Sequence, residues 1–458
     1  MKNSTYLHRK VVFLSILFLS FLHTGNAQQV ARSLIAGNGT FIGFWEYKPV
    51  DYNANPTTKY PLIIFLHGIG ERGNGTTQLS MVAGAGPPKL AAATTGTPMR
   101  FFWNGKWETF LVLSPQLSTG YSNWQNFYVD EMLNYAKTNM RVDTNRIFLT
   151  GLSLGGGGTW WYASSSLANA RKFAAIAPIC GTCSVNSAAN LANANLPIWA
   201  FHAVDDGVVG VSCTVNAING INSYNPAVKP IMTLYPNGNH YIWDRSYDTI
   251  YDWHNPHLYE WFLGQDKSLP VNVLPNANAG SDITVQHTVG TVNLNGAASS
   301  DPDGNLVRYV WRKISGPNAG TITNPGAATT TVTGLTWAGT YAYELTVADN
   351  RAAWDKDTVV VNVIMPAGSP TARAGGFVLV NLPTNSFNLD GTTSTDPDGT
   401  IVSYSWSKVS GPNATFVNPN SAVATVTGLV SGQYYFRLLV NDNNGYSDDD
   451  TMRLFVNA

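Results

Sequence analysis

The chain has 458 residues, too many for one ordinary domain and enough for two to four. Apolar residues make up 44%, which supports real cores, while charged residues make up only 12%, about half the usual share. A formal net charge of −1 gives nucleic acid no electrostatic footing, and the scarcity of lysine and glutamate suits a protein outside the cytosol.

The N-terminus points the same way. Lys2, Arg9 and Lys10 precede an apolar run from Val11 to Leu22, and "TGNAQQ" follows with small residues at Gly25 and Ala27. A basic start, a short apolar stretch and a small-x-small site predict a secretory signal peptide over residues 1–27. The run is too short to span a membrane, which takes about 20 apolar residues, and no later stretch is apolar enough to do so. Cleavage after Ala27 would remove three basic residues and no acidic ones, taking the net charge from −1 to −4. Export permits a disulfide. Of the three cysteines, Cys180 ends the apolar segment "FAAIAPIC" and is expected to be buried, so the favoured bridge is Cys183–Cys213. Cys180 and Cys183 have the spacing of half a metal site, but no second half completes it.

Residues 28–265 alternate strand and helix patterns. "YPLIIFLHG" (60–68) and "TFLVLSPQ" (109–116) read as apolar strands, and "VDEMLNYAKTN" (129–139) carries Met132, Leu133 and Ala136 on one helical side. "RIFLTGLSLGGGG" (146–158) is a strand that runs into glycines. "FAAIAPICG" (173–181), "LPIWAFHA" (196–203) and "KPIMTLYP" (229–236) read as further buried strands, and "NPHLYEWFLGQ" (255–265) as a closing helix. Apolar strands separated by helices predict a mostly parallel sheet covered on both faces, an α/β fold.

Four glycines in a row are a poor way to begin a helix. Gly151-Leu-Ser-Leu-Gly155, however, fits G-x-S-x-G at a strand-to-helix junction, the nucleophile elbow, with Ser153 as the nucleophile. Gly156–Gly158 would then let the helix start hard against the sheet. A serine needs a base and the base an orienting carboxylate, and in folds built on such an elbow the chain order is Ser, Asp or Glu, His. "WAFHAVDDGVVG" (199–210) offers Asp205 and Asp206 after one strand, and "YPNGNHYIWDRSYD" (235–248) offers His240 after the next. The oxyanion donors are expected to be the N–H of Leu154 and that of Ile69, with Gly70 as the alternative. His67 sits in the oxyanion turn and is expected to hold it by hydrogen bonds. His202 lies within a strand and is expected to be a satisfied core residue, whereas His254 and His257 are expected at the surface. Glu71 and Arg72 are expected to pair with each other or to contact substrate. Trp124, in "GYSNWQN" (120–126), is a candidate stacking surface for a sugar or phenolic acid, or else a cleft wall.

"FLHGIGERGNG" (65–75), "LVLSPQ" (111–116), "GLSLGGGGTW" (151–160), "FHAVDDGVV" (201–209) and "GNHYIWDRSY" (238–247) resemble motifs of the α/β-hydrolase superfamily. Residues 30–265 are most similar to its secreted esterase and dienelactone-hydrolase-like branch, which takes in polyhydroxybutyrate-depolymerase-like esterases and predicted peptidases. The family's acid motif, G-x-x-D-x-x-V-P, aligns with Ala203, Asp206, Val209 and Gly210 and so implies Asp206. The departures at Ala203 and Gly210 keep Asp205 in play. The resemblance implies an acyl-enzyme mechanism with no metal and no organic cofactor.

Composition changes near Leu269, and residues 266–275 read as a linker. Beyond it, "LNGAASSDPDGNLVRYVWRKISGPN" (294–318) repeats as "LDGTTSTDPDGTIVSYSWSKVSGPN" (389–413), 95 residues on. Short strands in such a repeat predict two tandem β-sandwiches, residues 276–365 and 366–458. Alternation in "VRYVW" and "VSYSW" puts the valine and the tryptophan on one face, with Trp311 and Trp406 in the cores. "DPDG", Tyr-x-Trp, "SGP" and a "TVxDN"-like strand resemble the polycystic-kidney-disease (PKD) type of immunoglobulin-like domain. That resemblance implies spacer, adhesion or glycan-contact modules. Asp301, Asp303, Asp396 and Asp398 are expected to cap turns rather than to bind calcium, since a calcium site needs six to eight oxygens.

The sequence therefore reads as a secreted, periplasmic or surface serine esterase acting on acetyl or feruloyl esters of polysaccharide. Rival readings are a polyester depolymerase or serine peptidase with the same triad, and a non-catalytic adhesion protein.

Overall fold

Residues 28–93 and 96–458 are described in the computed structural model, so the signal-peptide expectation lies outside the described residues. The chain forms two compact units, one ending at Val271 and the other running from Asn272 to Ala458.

The first unit is built on an eight-stranded sheet. Its ten strands, in chain order, are β1 (Gln28–Ile35), β2 (Phe41–Lys48), β3 (Tyr60–Leu66), β4 (Arg100–Trp103), β5 (Lys106–Thr109), β6 (Leu111–Pro115), β7 (Val142–Leu152), β8 (Ala175–Ile179), β9 (Trp199–Ala203) and β10 (Ile231–Tyr235). β4 and β5 pair apart as a hairpin, and the sheet order is β1-β2-β6-β3-β7-β8-β9-β10. β1, β2 and β6 join antiparallel, and every later pairing is parallel. β1 has no signal in the sequence, because an edge strand with mostly exposed side chains carries no apolar pattern. β10 is the opposite edge. It was expected to be buried, yet only Tyr235 is, and Leu234 is exposed.

β3, β6, β8 and β9 are buried along their whole length, as strands covered on both faces must be. The two faces differ in chemistry. Leu62, Ile64 and Leu66 of β3 join Ile147 and Leu149 of β7 beneath α1 (Asn126–Asn139) and α2 (Leu154–Ser164), in one largely aliphatic core with Met132, Leu133 and Ala136. The other face is aromatic. Phe148 stacks on Phe262 at 4.6 Å, Trp199 meets Trp261 at 5.6 Å, and Phe65 meets Tyr247 at 6.1 Å. Phe262 and Trp261 belong to the closing helix, Leu258–Leu263.

This aromatic core overturns the surface assignment of two histidines. His257 is 2% exposed and caps the closing helix, its ring accepting from the Glu260 N–H while the Glu260 carboxylate accepts from the His257 N–H. His254 packs against Trp199 and Phe201, each at 5.3 Å, and bonds the Tyr235 hydroxyl at 2.6 Å. The polarity of "WHNPH" suggests exposure, but its imidazoles sit where flat rings and a capping acceptor are needed.

Cys183 and Cys213 form a disulfide, tying the segment after β8 to the helix Ser212–Asn222. Cys180 is fully buried, and burial pushes its thiol up to about 12.

The second unit holds two sandwiches, each a four-stranded sheet with a three-stranded partner. Trp311 and Trp406 are core residues. The valines behave otherwise than alternation predicts. Register shifts after Leu306 and after Ile401 turn Val307 and Val402 outward, leaving Leu306 and Tyr309 in the first copy, and Ile401 and Tyr404 in the second, against the cores. No group of three or more potential metal-binding side chains occurs among the described residues.

The glycine stretch is explained by contact distance. A methyl group at Gly155 would lie 1.9 Å from the Leu66 carbonyl oxygen, a rigid backbone atom, and one at Gly158 would lie 2.8 Å from the Trp124 ring. At Gly70 nothing lies within 4 Å. Gly155→Ala is therefore expected to destabilise the first unit by about 3 kcal/mol or more, and Gly70→Ala to stay within about 1 kcal/mol. Urea unfolding midpoints of the two variants check this, and equal midpoints would contradict it.

Candidate active site

β7 ends at Leu152 and α2 begins at Leu154, so the chain turns from strand to helix within Ser153, at φ 54° and ψ −119°. A non-glycine residue held at positive φ is strained. The strain is held by the backbone: the Ser153 N–H donates to the Ile179 carbonyl at 2.9 Å, and the Ser153 carbonyl accepts from the Gly157 N–H at 3.0 Å. The hydroxyl is thereby raised off the end of the sheet.

Ser153 Oγ lies 2.8 Å from His240 Nε2, and His240 Nδ1 lies 2.8 Å from Asp206 Oδ2. The acceptor at Nδ1 is a carboxylate, so Nδ1 carries the proton and Nε2 is left to accept from the serine. The other Asp206 oxygen accepts from the Val208 and Val209 N–H groups, both at 2.9 Å. Burial alone would raise this carboxyl. The hydrogen bonds from His240 and from these two amides outweigh it and hold Asp206 below its ordinary value, so it stays charged. Such a chain can pass the serine proton to the imidazole as the oxygen attacks a carbonyl carbon.

Asp205 has a different task. Its carboxylate accepts from the Asn239 N–H at 2.8 Å and the Gly238 N–H at 3.3 Å, bracing the loop that carries His240. His202 is fully buried, with Nδ1 on Thr214 Oγ1 and Nε2 on the Val209 carbonyl, and Nε2 also lies 3.2 Å from Asp206 Oδ2. Its core position matches the expectation. Its approach to Asp206 has no sequence signal beyond the i, i+4 spacing.

Leu154 opens α2, so its N–H has no acceptor within the helix. Ile69 opens a short turn, Ile69–Glu71, with its side chain 57% exposed. A methyl at the preceding Gly68 would lie 3.6 Å from Ser153 Cβ, so this backbone runs alongside the serine. His67 holds the turn: its Nδ1–H donates to the Gly68 carbonyl at 2.6 Å, and its Nε2 accepts from the Leu117 N–H at 2.9 Å. Both nitrogens are engaged by the neutral form, and burial lowers the imidazole to about 4.

Glu71 and Arg72 do not pair with each other. Arg72 donates to the Ile69 and Tyr121 carbonyls, whereas the Glu71 carboxyl faces His67 at 3.8 Å and is raised by burial. Trp124 is no exposed platform. It is 3% exposed, and its Nε1–H donates to the His67 carbonyl at 3.1 Å. The helix glycine at 158 leaves room for its ring, which draws it inward. Gln116, at the end of "LVLSPQ", carries no role that the sequence reveals. It donates to the Glu71 and Gln78 carbonyls, both at 2.8 Å, and accepts from the Gly75 N–H, which fixes the whole turn after β3. Tyr241 and Trp243, beside His240, were not singled out either.

A family model described as phospholipase/carboxylesterase matches residues 53–258, and one describing a PKD domain matches twice, over residues 279–363 and 374–456. The chain is 42% identical over 185 residues to the dyslexia-associated protein KIAA0319 homolog of Rattus norvegicus, covering 39% of this chain and 17% of that protein. It is 29% identical over 164 residues to a bifunctional acetylxylan esterase/xylanase of Neocallimastix patriciarum, covering 33% of this chain and 23% of that protein. A thermostable esterase of solved structure is similar at 27% identity and a TM-score of 0.41, covering 52% of this chain and 63% of that one. The chain thus spans about a sixth of the length of the curated relatives at 42% identity.

The His67 environment sets a pH dependence of stability. Its ordinary value is 6.5 and its folded value about 4, so between these the unfolded chain binds a proton that the fold does not. Stability therefore falls as pH drops from about 6.5 to about 4, by about 3 kcal/mol for this group. His67→Gln is expected to show a smaller loss in urea midpoint between pH 7 and pH 4.5 than the parent protein. An equal loss would show that another group carries the effect.

Proposed function

We propose, from a phospholipase/carboxylesterase domain at residues 53–258 followed by two PKD domains, that the protein is a secreted serine esterase acting on acetyl or feruloyl esters of polysaccharide. The observation that carries the esterase reading is the continuous hydrogen-bonded chain from Ser153 through His240 to Asp206, with the serine held at positive φ. Ser153 Oγ attacks the ester carbonyl while His240 Nε2 takes its proton. Asp206 stabilises the imidazolium, and the N–H groups of Leu154 and Ile69 meet the developing oxyanion. His240 then gives the proton to the leaving alcohol, and an acyl-serine remains. Water, deprotonated by the same imidazole, releases the acid and restores the serine.

The carbohydrate half of the proposal is supported by the acetylxylan esterase/xylanase named among the similar proteins. Export is supported by the basic-then-apolar N-terminal pattern, the low charge and the Cys183–Cys213 bridge. No helix among the described residues is long and apolar enough to cross a membrane. The two PKD domains serve in this reading as spacers or contacts to a glycan or cell surface.

The test is hydrolysis of p-nitrophenyl acetate, acetylated xylan, methyl ferulate, a polyhydroxybutyrate film and a chromogenic peptide by the mature protein. Turnover of the xylan or ferulate is expected, and Ser153→Ala is expected to abolish it. Turnover of the polyester or peptide alone would keep the mechanism and overturn the substrate class. No turnover at all would favour an adhesion protein.

The two aspartates separate in a second experiment. Asp206→Asn is expected to lower kcat by about 10³–10⁴, because an amide stabilises the wrong imidazole tautomer. Asp205→Asn loses a turn brace and is expected to keep kcat within about tenfold. The reverse order would transfer the orienting role to Asp205.

A further inference from the structure

Two aromatic side chains, Tyr241 and Trp243, flank the proposed base. Tyr241 directly follows His240 and is 71% exposed. Its ring lies 6.2 Å from the His240 ring and 4.9 Å from the Trp243 ring, and Trp243 lies 5.9 Å from His240. The three rings therefore form one cluster, with His240 facing Ser153 and Tyr241 open to solvent. Leaving a large aromatic face in water forgoes burial worth roughly 25 cal/mol per Å², which sets it apart from the enclosed rings of the core.

The reaction geometry says which half of a substrate meets this cluster. In the esterase reading, His240 Nε2 must reach the leaving oxygen to protonate it, at hydrogen-bond distance of about 3 Å. The acyl carbonyl turns the other way, toward the N–H groups of Leu154 and the turn after Gly68. The alcohol half thus leaves past the edge of His240, where Tyr241 and Trp243 stand. An open aromatic surface suits a ring with one apolar C–H face and a wet, hydroxylated rim. A long alkyl chain would call for an enclosed apolar pocket instead.

Resting on the esterase reading, we propose that Tyr241 and Trp243 form the stacking subsite for the alcohol half of the ester, and that this half is a pyranose ring. Acyl choice then belongs to the turn after β3, and alcohol choice to the loop that carries the base.

The experiment compares the full-length mature protein with Tyr241→Ala, Tyr241→Phe and Trp243→Ala on three esters: acetylated xylotriose, ethyl acetate and methyl ferulate. Trp107→Ala serves as the control, because its exposed ring lies on the β4–β5 hairpin that feeds the opposite end of β6. Tyr241→Ala is expected to raise KM for acetylated xylotriose about tenfold, with a much smaller change for ethyl acetate, and Tyr241→Phe to restore the parent value. Equal losses on ethyl acetate and xylotriose would make the cluster a support for His240 and overturn the subsite. A loss greatest on methyl ferulate would assign it to the acyl half and overturn it equally. A parent enzyme active on acetylated xylotriose with Tyr241→Ala unimpaired would sink the subsite alone. A parent enzyme that cleaves ethyl acetate but no sugar ester would sink the carbohydrate reading and the pyranose with it.

Discussion

The site depends on how closely α2 passes the end of β3. At Gly155 the helix backbone leaves no space for a single methyl before the Leu66 carbonyl. This approach forces the reversal from strand to helix into one residue and so puts Ser153 at positive φ. It also brings the turn after β3 alongside the serine, as the proposed oxyanion donors Leu154 and Ile69 require. The strain, of order 1–3 kcal/mol, is offset by the bond from the Ser153 N–H to the Ile179 carbonyl and by the first turn of the helix. A helix of good formers would be more stable alone and could not come this near.

Charge follows the same geometry. Asp206 is the carboxylate buried against His240, and it is satisfied by two backbone amides, His240 and the nearby His202. A buried carboxylate with fewer donors would protonate and lose its hold on the imidazole. His67 shows the opposite solution. Both its nitrogens are satisfied only in the neutral form, so this buried imidazole, in the turn that runs alongside Ser153, stays out of acid–base chemistry. Two histidines flank one hydroxyl-bearing turn, and their partners separate a base from a brace.

What could be read from the sequence was what local pattern dictates. The buried parallel strands announced themselves as apolar runs, the elbow as G-x-S-x-G, and the order of Asp and His by the strand ends that carry them. The tryptophans of the sandwiches were legible through alternation, but the bulges that expose Val307 and Val402 were not, since a one-residue shift leaves no mark on composition. Edge strand β1 escaped because an edge has no apolar face to display. His254 and His257 carry no burial signal, because polarity suggests exposure, whereas His254 packs as a ring against Trp199 and Phe201 and His257 caps a buried helix. Of the two readings of Trp124, stacking surface or cleft wall, the exposed platform fails: the space left by Gly158 draws the ring inside.

The residues that brace the site bear on specificity. Residues that fix the backbone of the site (His67, Gln116, Trp124 and Asp205) act through hydrogen bonds to main-chain groups, and such bonds have no periodicity. They occupy the space where a sequence reading looks first for substrate contacts. The side chains left free to meet a substrate are those the scaffold does not use, and their exposure marks them. On this chain the segments that carry the proposed reacting groups each follow a different strand: the turn after β3, the elbow with Ser153 after β7, the loop with Asp206 after β9 and the loop with His240 after β10. Because each segment is braced separately, side chains at its tip can change without loosening the hydrogen-bonded chain. Tyr241 is at such a tip, one residue beyond His240 and exposed, the place where the proposed subsite would let substrate choice vary while the proposed reaction is held constant.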